Sequence, residues 1–451
     1  MTSTTALQRK TAVTAGAPGG ERSAPPGAGR RRGLGGRGLG RQGSGRQGSG
    51  RRGLGATASL VLLASIIVSL LAASSAPTPL YAVYQQKWGF SPITTTVVFG
   101  VYALAVLAAL LTFGKISDHV GRRPVLFTAL AGQIAAMVVF ATAGSVSALM
   151  VARVVQGVST GAAIGAIGAG MLDIDRVKGA LANSFAPATG TATGALASGL
   201  VVRFLPAPTH LIYLALLGVF ALQAVGLVLL PETATRKPGA LASMTPEIKL
   251  PRSARASVAV AAPVLFAVWA LAGFYGSLGP ALTARLTHSH SVVYGGLGLF
   301  VLAGSAALSV LLLRAVPART VMVLGVVTLI VGVAVTLLAI GSGEGGTGAE
   351  IGFFAGSAVA GFGFGAGFQG GIRLVIPQVR AHERSGVLSL LYVVSYLGMG
   401  VPAVIGGVLV VDGGGLLDTA REYGAAVIVL AGAALAGLLF GGRAPRAVTE
   451  A

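Results

Sequence analysis

The sequence predicts an all-α membrane protein of twelve transmembrane helices in two six-helix bundles. Three observations carry the prediction. Apolar residues gather into nearly charge-free blocks of about 20 residues, the length an α-helix needs to cross a hydrocarbon core of about 30 Å. The 451 residues are 54% hydrophobic and 10% charged, with mean hydropathy +0.81, too little charge to solvate a domain of this size. Lys and Arg also alternate from loop to loop, as a bias towards the cytoplasmic face requires.

In chain order, the apolar blocks place spans at 56–76, 94–114, 125–142, 148–172, 180–202 and 210–230. A polar stretch follows at 231–257, then spans at 258–284, 294–313, 320–340, 351–372, 387–411 and 424–440. With the N-terminus inside, the outer loops hold only Lys87, Arg203, Arg285 and Arg421. Arg153 lies within a span, and the remaining Lys and Arg fall on the cytoplasmic side. An odd number of helices would scramble this alternation, so both termini are expected in the cytoplasm and the protein in the plasma membrane. The division expected is a basic tail over 1–55, bundles over 56–231 and 258–442, a cytoplasmic linker over 232–257 and a short tail over 443–451.

The chain has no cysteine, which excludes disulfides and thiolate chemistry. Its five histidines have no metal-ligand spacing on a helix, and no metal site or cofactor is expected. The formal charge of +20 reflects topology rather than nucleic acid. The Gly/Arg/Ser/Gln stretch over 30–55 has no interleaved aromatics for base stacking and too little apolar content to order itself. The 69 glycines suit close helix packing in lipid. Gly157-x-x-x-Gly161-x-x-x-Gly165 in the fourth span is one such face. The run Gly361, Gly363, Gly365, Gly367 in the tenth is read as packing, with a bend or a close approach to substrate as the alternative.

Two motifs are the most specific. Between the second and third spans lies Gly114-Lys115-Ile116-Ser117-Asp118-His119-Val120-Gly121-Arg122-Arg123. In the fourth span lies Arg153-Val154-Val155-Gln156-Gly157. They resemble the signature loop and the Arg-x-x-Gln-Gly element of the major facilitator superfamily. The resemblance covers about 56–442 and is nearest the twelve-helix drug:proton antiporters. It implies the major facilitator fold and alternating access about a midplane site. Gly114 and Gly121 permit a tight turn. Asp118 is expected to cap the eleventh helix near Ser385 and Gly386 only when the inner faces of the two halves close, latching the inner gate in the outward-open state, while Arg122 and Arg123 sit at the lipid headgroups. Arg153, Gln156 and Gly157 are expected in coupling or the cavity, because an intramembrane cation must face the bundle interior. The alternative for Arg153 is that it snorkels outward or bonds a broken backbone.

In the fifth span, Gly190, Gly194 and Gly199 resemble the antiporter element, but Ala195 stands where that element has proline. The eleventh span carries a related pattern, Gly398 to Gly407, and Arg314 to Arg319 looks like a worn copy of the Arg122-Arg123-Pro124 turn, as a duplicated bundle would show. Leu230-Pro231-Glu232-Thr233 is read as the end of the sixth helix. Candidates for the substrate pathway are Gln133, Tyr275, Gln369, Tyr392 and Tyr396. Tyr392 and Tyr396 are one turn apart on one face, and Tyr81 and Tyr84 are placed near the outer mouth. No Asp or Glu lies in the middle of a span. Asp173 and Glu350 are the nearest proton carriers.

The expected function is secondary active transport of a small organic molecule, in the form of proton-coupled efflux of drug-like or hydrophobic compounds. The alternative is an uptake carrier or uniporter for an organic anion or metabolite. An enzyme is excluded by the lack of a nucleophile–base pair and of any extramembrane domain. The expected partners are the substrate and the bilayer, with no nucleic acid; the expected energy source is the proton gradient and the expected state a monomer.

Overall fold

The structure, a computed structural model, describes residues 53–288, 291–341 and 346–440. The tails expected over 1–55 and 443–451 lie outside this range, apart from 53–55. Among the described residues there is no strand, and twelve helices are long and apolar enough to cross a membrane. In order they are Ala56–Trp88, Pro92–Phe113, Arg122–Ala141, Val146–Ile174, Arg176–Phe204, Pro208–Val228, Arg255–Ser277, Val292–Leu312, Ala318–Gly341, Thr347–Val375, Arg384–Asp412 and Gly415–Phe440.

Three spans depart most from expectation, the twelfth among them, since it starts at Gly415 rather than at 424. The first runs on to Trp88, because Ala76 keeps a right-handed helical conformation and joins Ala56–Ser75 to Pro77–Trp88. Apolar counting stopped at the prolines, yet a proline at the start of a helical segment is tolerated. The seventh helix ends at Ser277, and a separate short helix, Gly279–Leu286, follows. Polar caps set other ends. Asp175 closes the fourth helix and opens the fifth, its Oδ1 accepting from the amides of Val177 (3.0 Å) and Lys178 (2.9 Å).

Each half has its own apolar core. One is centred on Leu63, Ile66, Leu126, Ile167 and Phe220, the other on Val264, Leu265, Leu329, Phe353 and Leu391. The neighbours repeat between halves: helices 2–4, 3–4, 1–5 and 3–6 pack in the first, and 8–10, 9–10, 7–11 and 9–12 in the second. The seams between the halves repeat as well, helix 5 on helix 8 and helix 11 on helix 2. That correspondence is the physical form of a duplicated six-helix unit.

Small residues set the closest approaches. A methyl at Gly161 would lie 2.5 Å from the Val106 carbonyl oxygen of the second helix. In the tenth helix, Gly361 and Gly365 face the eighth, and Gly363 faces the ninth. That helix is continuous from Thr347 to Val375, and these glycines serve close packing within it.

Candidate functional site

The first helix creates a problem at its middle. Pro77 has no amide proton, so the Ala73 carbonyl four residues earlier loses its helical donor. In lipid an unpaired carbonyl costs several kcal/mol. The fourth helix supplies the replacement. Gln156 Nε2 donates to Ala73 O at 3.0 Å, and Arg153 Nη1 donates to Ser74 O at 2.8 Å. The fifth helix adds Ser198, whose Oγ donates to Ala76 O at 2.6 Å.

Arg153 is fully buried. Its Nε and Nη2 donate to Tyr81 Oη at 3.1 and 2.6 Å, and its Nη1 also donates to Gln156 Oε1 at 2.8 Å. The guanidinium carbon lies 5.1 Å from the Tyr102 ring centre and 5.8 Å from that of Phe140. No carboxylate among the described residues pairs with it. Aromatic faces and oriented dipoles take the counter-ion's place. Gln133 holds this cluster from the third helix, its Nε2 donating to Gln156 O (3.1 Å) and Thr160 Oγ1 (2.8 Å). Gln133 is fully buried in these contacts. Gly157 admits the second helix at Tyr102 and Ala105.

The signature loop is organised by a residue that sequence reading assigned elsewhere. The sixth helix ends at Val228, and Glu232 reaches back to the start of the third. Its Oε1 accepts from the Arg122 amide at 2.8 Å and its Oε2 from the Arg123 amide at 3.0 Å. An anion there meets both free amides and the positive end of the helix dipole. Gly121 makes room for it: its φ of 104° is a glycine conformation, and a Cβ would stand 2.8 Å from Glu232 Oε2. Gly114 caps the second helix at the start of a turn over 114–116, with right-handed φ and ψ, and a Cβ there would lie 2.4 Å from Leu110 O.

Asp118 pairs with the Arg122 guanidinium within its own loop; the cap on the eleventh helix is an expectation for the state with the inner faces closed. Arg122 also donates to Ser117 Oγ (2.7 Å) and Asp173 Oδ2 (3.3 Å) and is buried, away from the headgroup position expected of it. Arg123 Nη2 donates to Val228 O at 2.9 Å. The eleventh helix is reached by a different route. Glu247, in the linker, bridges Lys115 and Lys249 at 2.5 Å each, and the Lys249 amide donates to Gly386 O at 3.3 Å. The two lysines pull the Glu247 carboxyl down from 4.5 to about 2.

At the opposite end of the bundle the halves meet directly. Thr78 Oγ1 donates to Gly276 O at 3.1 Å, and the Phe99 ring lies over Gly276. A cavity of about 120 Å³ opens beside this contact, lined by Tyr81, Gln85, Thr95, Ser277 and Val410 among others. In the fifth helix, Gly190 and Gly194 press on the first; a methyl at Gly194 would sit 2.2 Å from Ala72 O. Gly199 faces Val293 of the eighth helix.

The pathway candidates separate. Tyr275 is buried in the second half, its hydroxyl 2.6 Å from Ser357 Oγ. Gln369 turns to the eighth helix, donating to Val310 O at 3.4 Å. Tyr392 and Tyr396 stay at the seam with Phe99, Tyr102 and Met399, where sequence reading did not place Trp269. Trp269 lies 5.1 Å from Tyr396, centre to centre, and 5.9 and 5.7 Å from Phe364 and Phe368. Among the described residues no cluster of His, Asp or Glu could hold a metal ion.

Two comparisons bear on this arrangement. A family model described as Major Facilitator Superfamily matches residues 61–348, more than half of the chain. A crystal structure of a mutant of the nucleoside transporter NupG superposes with a TM-score of 0.66 at 14% identity, covering 84% of this chain and 99% of that one. At that identity the likeness concerns the fold.

Proposed function

The chain belongs to the Major Facilitator Superfamily and is a transporter rather than an enzyme, and from that premise we propose that it carries a small neutral or anionic organic molecule through the plasma membrane by alternating access. The observation that carries this reading is Arg153, a buried guanidinium held by Tyr81, Gln156 and backbone oxygens, in a bundle with no carboxylate at mid-span. A cationic substrate would meet a fixed positive charge that no carboxylate among the described residues offsets. Proton coupling through a desolvated carboxyl has no mid-span group to use. Both points favour uptake or uniport, and the nucleoside transporter of similar fold makes nucleosides a sensible first class to assay. In this reading the two halves rock about their seams as a monomer, with both termini in the cytoplasm.

A second reading, proton-coupled efflux of hydrophobic compounds, is favoured by Gly190 and Gly194, which bring the fifth helix onto the first as the antiporter element would. Accumulation in everted vesicles separates the two. On the first reading, energised everted vesicles do not concentrate the labelled substrate, and a protonophore leaves its equilibration unchanged. Accumulation that collapses with the protonophore would transfer the case to efflux.

A further inference from the structure

The second half presents an aromatic group that packs on its own core and also reaches the seam. Trp269 of the seventh helix is flanked by Phe364 and Phe368 of the tenth and Tyr396 of the eleventh, with centre separations of 5.1–5.9 Å. Tyr392 lies one turn before Tyr396 on the same face. Trp269, Phe364, Phe368 and Tyr392 are each only half-buried. The polar atoms of this group are unspent. Trp269 Nε1 and Ser395 Oγ are buried without a hydrogen-bond partner. Neither the Tyr392 nor the Tyr396 hydroxyl is bonded to a described residue. Buried indole and phenol groups ordinarily find partners.

Rings that leave faces and polar edges unsatisfied suit a flat guest with hydrogen-bonding groups on its rim. Across the seam stands Tyr102, whose ring faces the Arg153 guanidinium at 5.1 Å, so positive charge already lies behind the opposite wall. We propose that Trp269, Phe364, Phe368, Tyr392 and Tyr396 form the substrate-selecting surface, and that they select a planar, neutral or anionic heteroaromatic ring. This rests on the carrier reading above for its role in transport, but not for its test.

The chain has two tryptophans, so Trp88→Phe leaves Trp269 as the sole indole reporter. In that purified full-length variant, adenosine and benzoate are titrated, with sorbitol as a non-aromatic polar control. The expected result is a saturable change in Trp269 emission with at least one aromatic probe and none with sorbitol. Tyr396→Leu in the same background should weaken that response about tenfold, the loss of one stacking partner. Tyr294→Leu, outside the group, should leave it unchanged. No saturable response to either aromatic probe, or an equal response to sorbitol, overturns the proposal. Binding with no flux in vesicles would count against the carrier reading alone.

Discussion

If Gln156 is there to replace a hydrogen bond that Pro77 abolishes, the two positions must be energetically coupled. Gln156→Leu keeps the volume and removes two bonds. It strands the Ala73 carbonyl, a cost of about 1–3 kcal/mol for a buried acceptor, and takes one acceptor from Arg153 Nη1, worth about 1 kcal/mol while Ser74 O remains. The single variant should therefore lose about 2–4 kcal/mol. Pro77→Ala restores an amide one helical turn from Ala73, so in that background the same change should cost about 1–2 kcal/mol less. The assay is equilibrium unfolding of the four proteins in mixed detergent micelles, followed by tryptophan emission, with the coupling taken from the double-mutant cycle. Additivity within about 0.5 kcal/mol would refute the account, since uncoupled sites behave that way.

Three further outcomes follow from the geometry. Glu232→Ala should destabilise by about 1 kcal/mol by uncapping the third helix, with Glu232→Gln intermediate; equal midpoints in thermal unfolding would contradict the cap. Because Lys115 and Lys249 lower the Glu247 carboxyl from 4.5 to about 2, the linker contact is fully present above pH 4.5 and fades as pH falls towards 2. Pepsin cleavage of the linker, wild type relative to Glu247→Gln, should thus rise towards one over that interval, and a flat ratio would sink the idea. Gly332→Ala places a methyl 2.1 Å from the Ala360 nitrogen, so the ninth and tenth helices must part at about 1–3 kcal/mol; a variant as stable as wild type would show that this contact is not tight.

The chain's own residues fall into two kinds. Span number, the basic loops and the duplicated halves were legible because the bilayer imposes a length and a charge rule on each segment separately, whatever its neighbours do. Arg153 and Gln156 were likewise visible as polar residues in an apolar block, with a broken backbone as one of the roles considered for the arginine. Glu232, Glu247 and Trp269 were not legible as functional residues. Glu232 lies 110 positions from the amide it caps, and nothing near it in the chain signals a helix end to be satisfied. Asp118 shows the converse: its motif predicts a partner on the eleventh helix once the inner faces close, while in this structure a guanidinium four residues away holds the carboxylate. Local period, length and charge are properties of a segment and can be read from it. Which orphan carbonyl meets which amide, and which rings converge on the seam, depends on distances that exist only once the helices have packed.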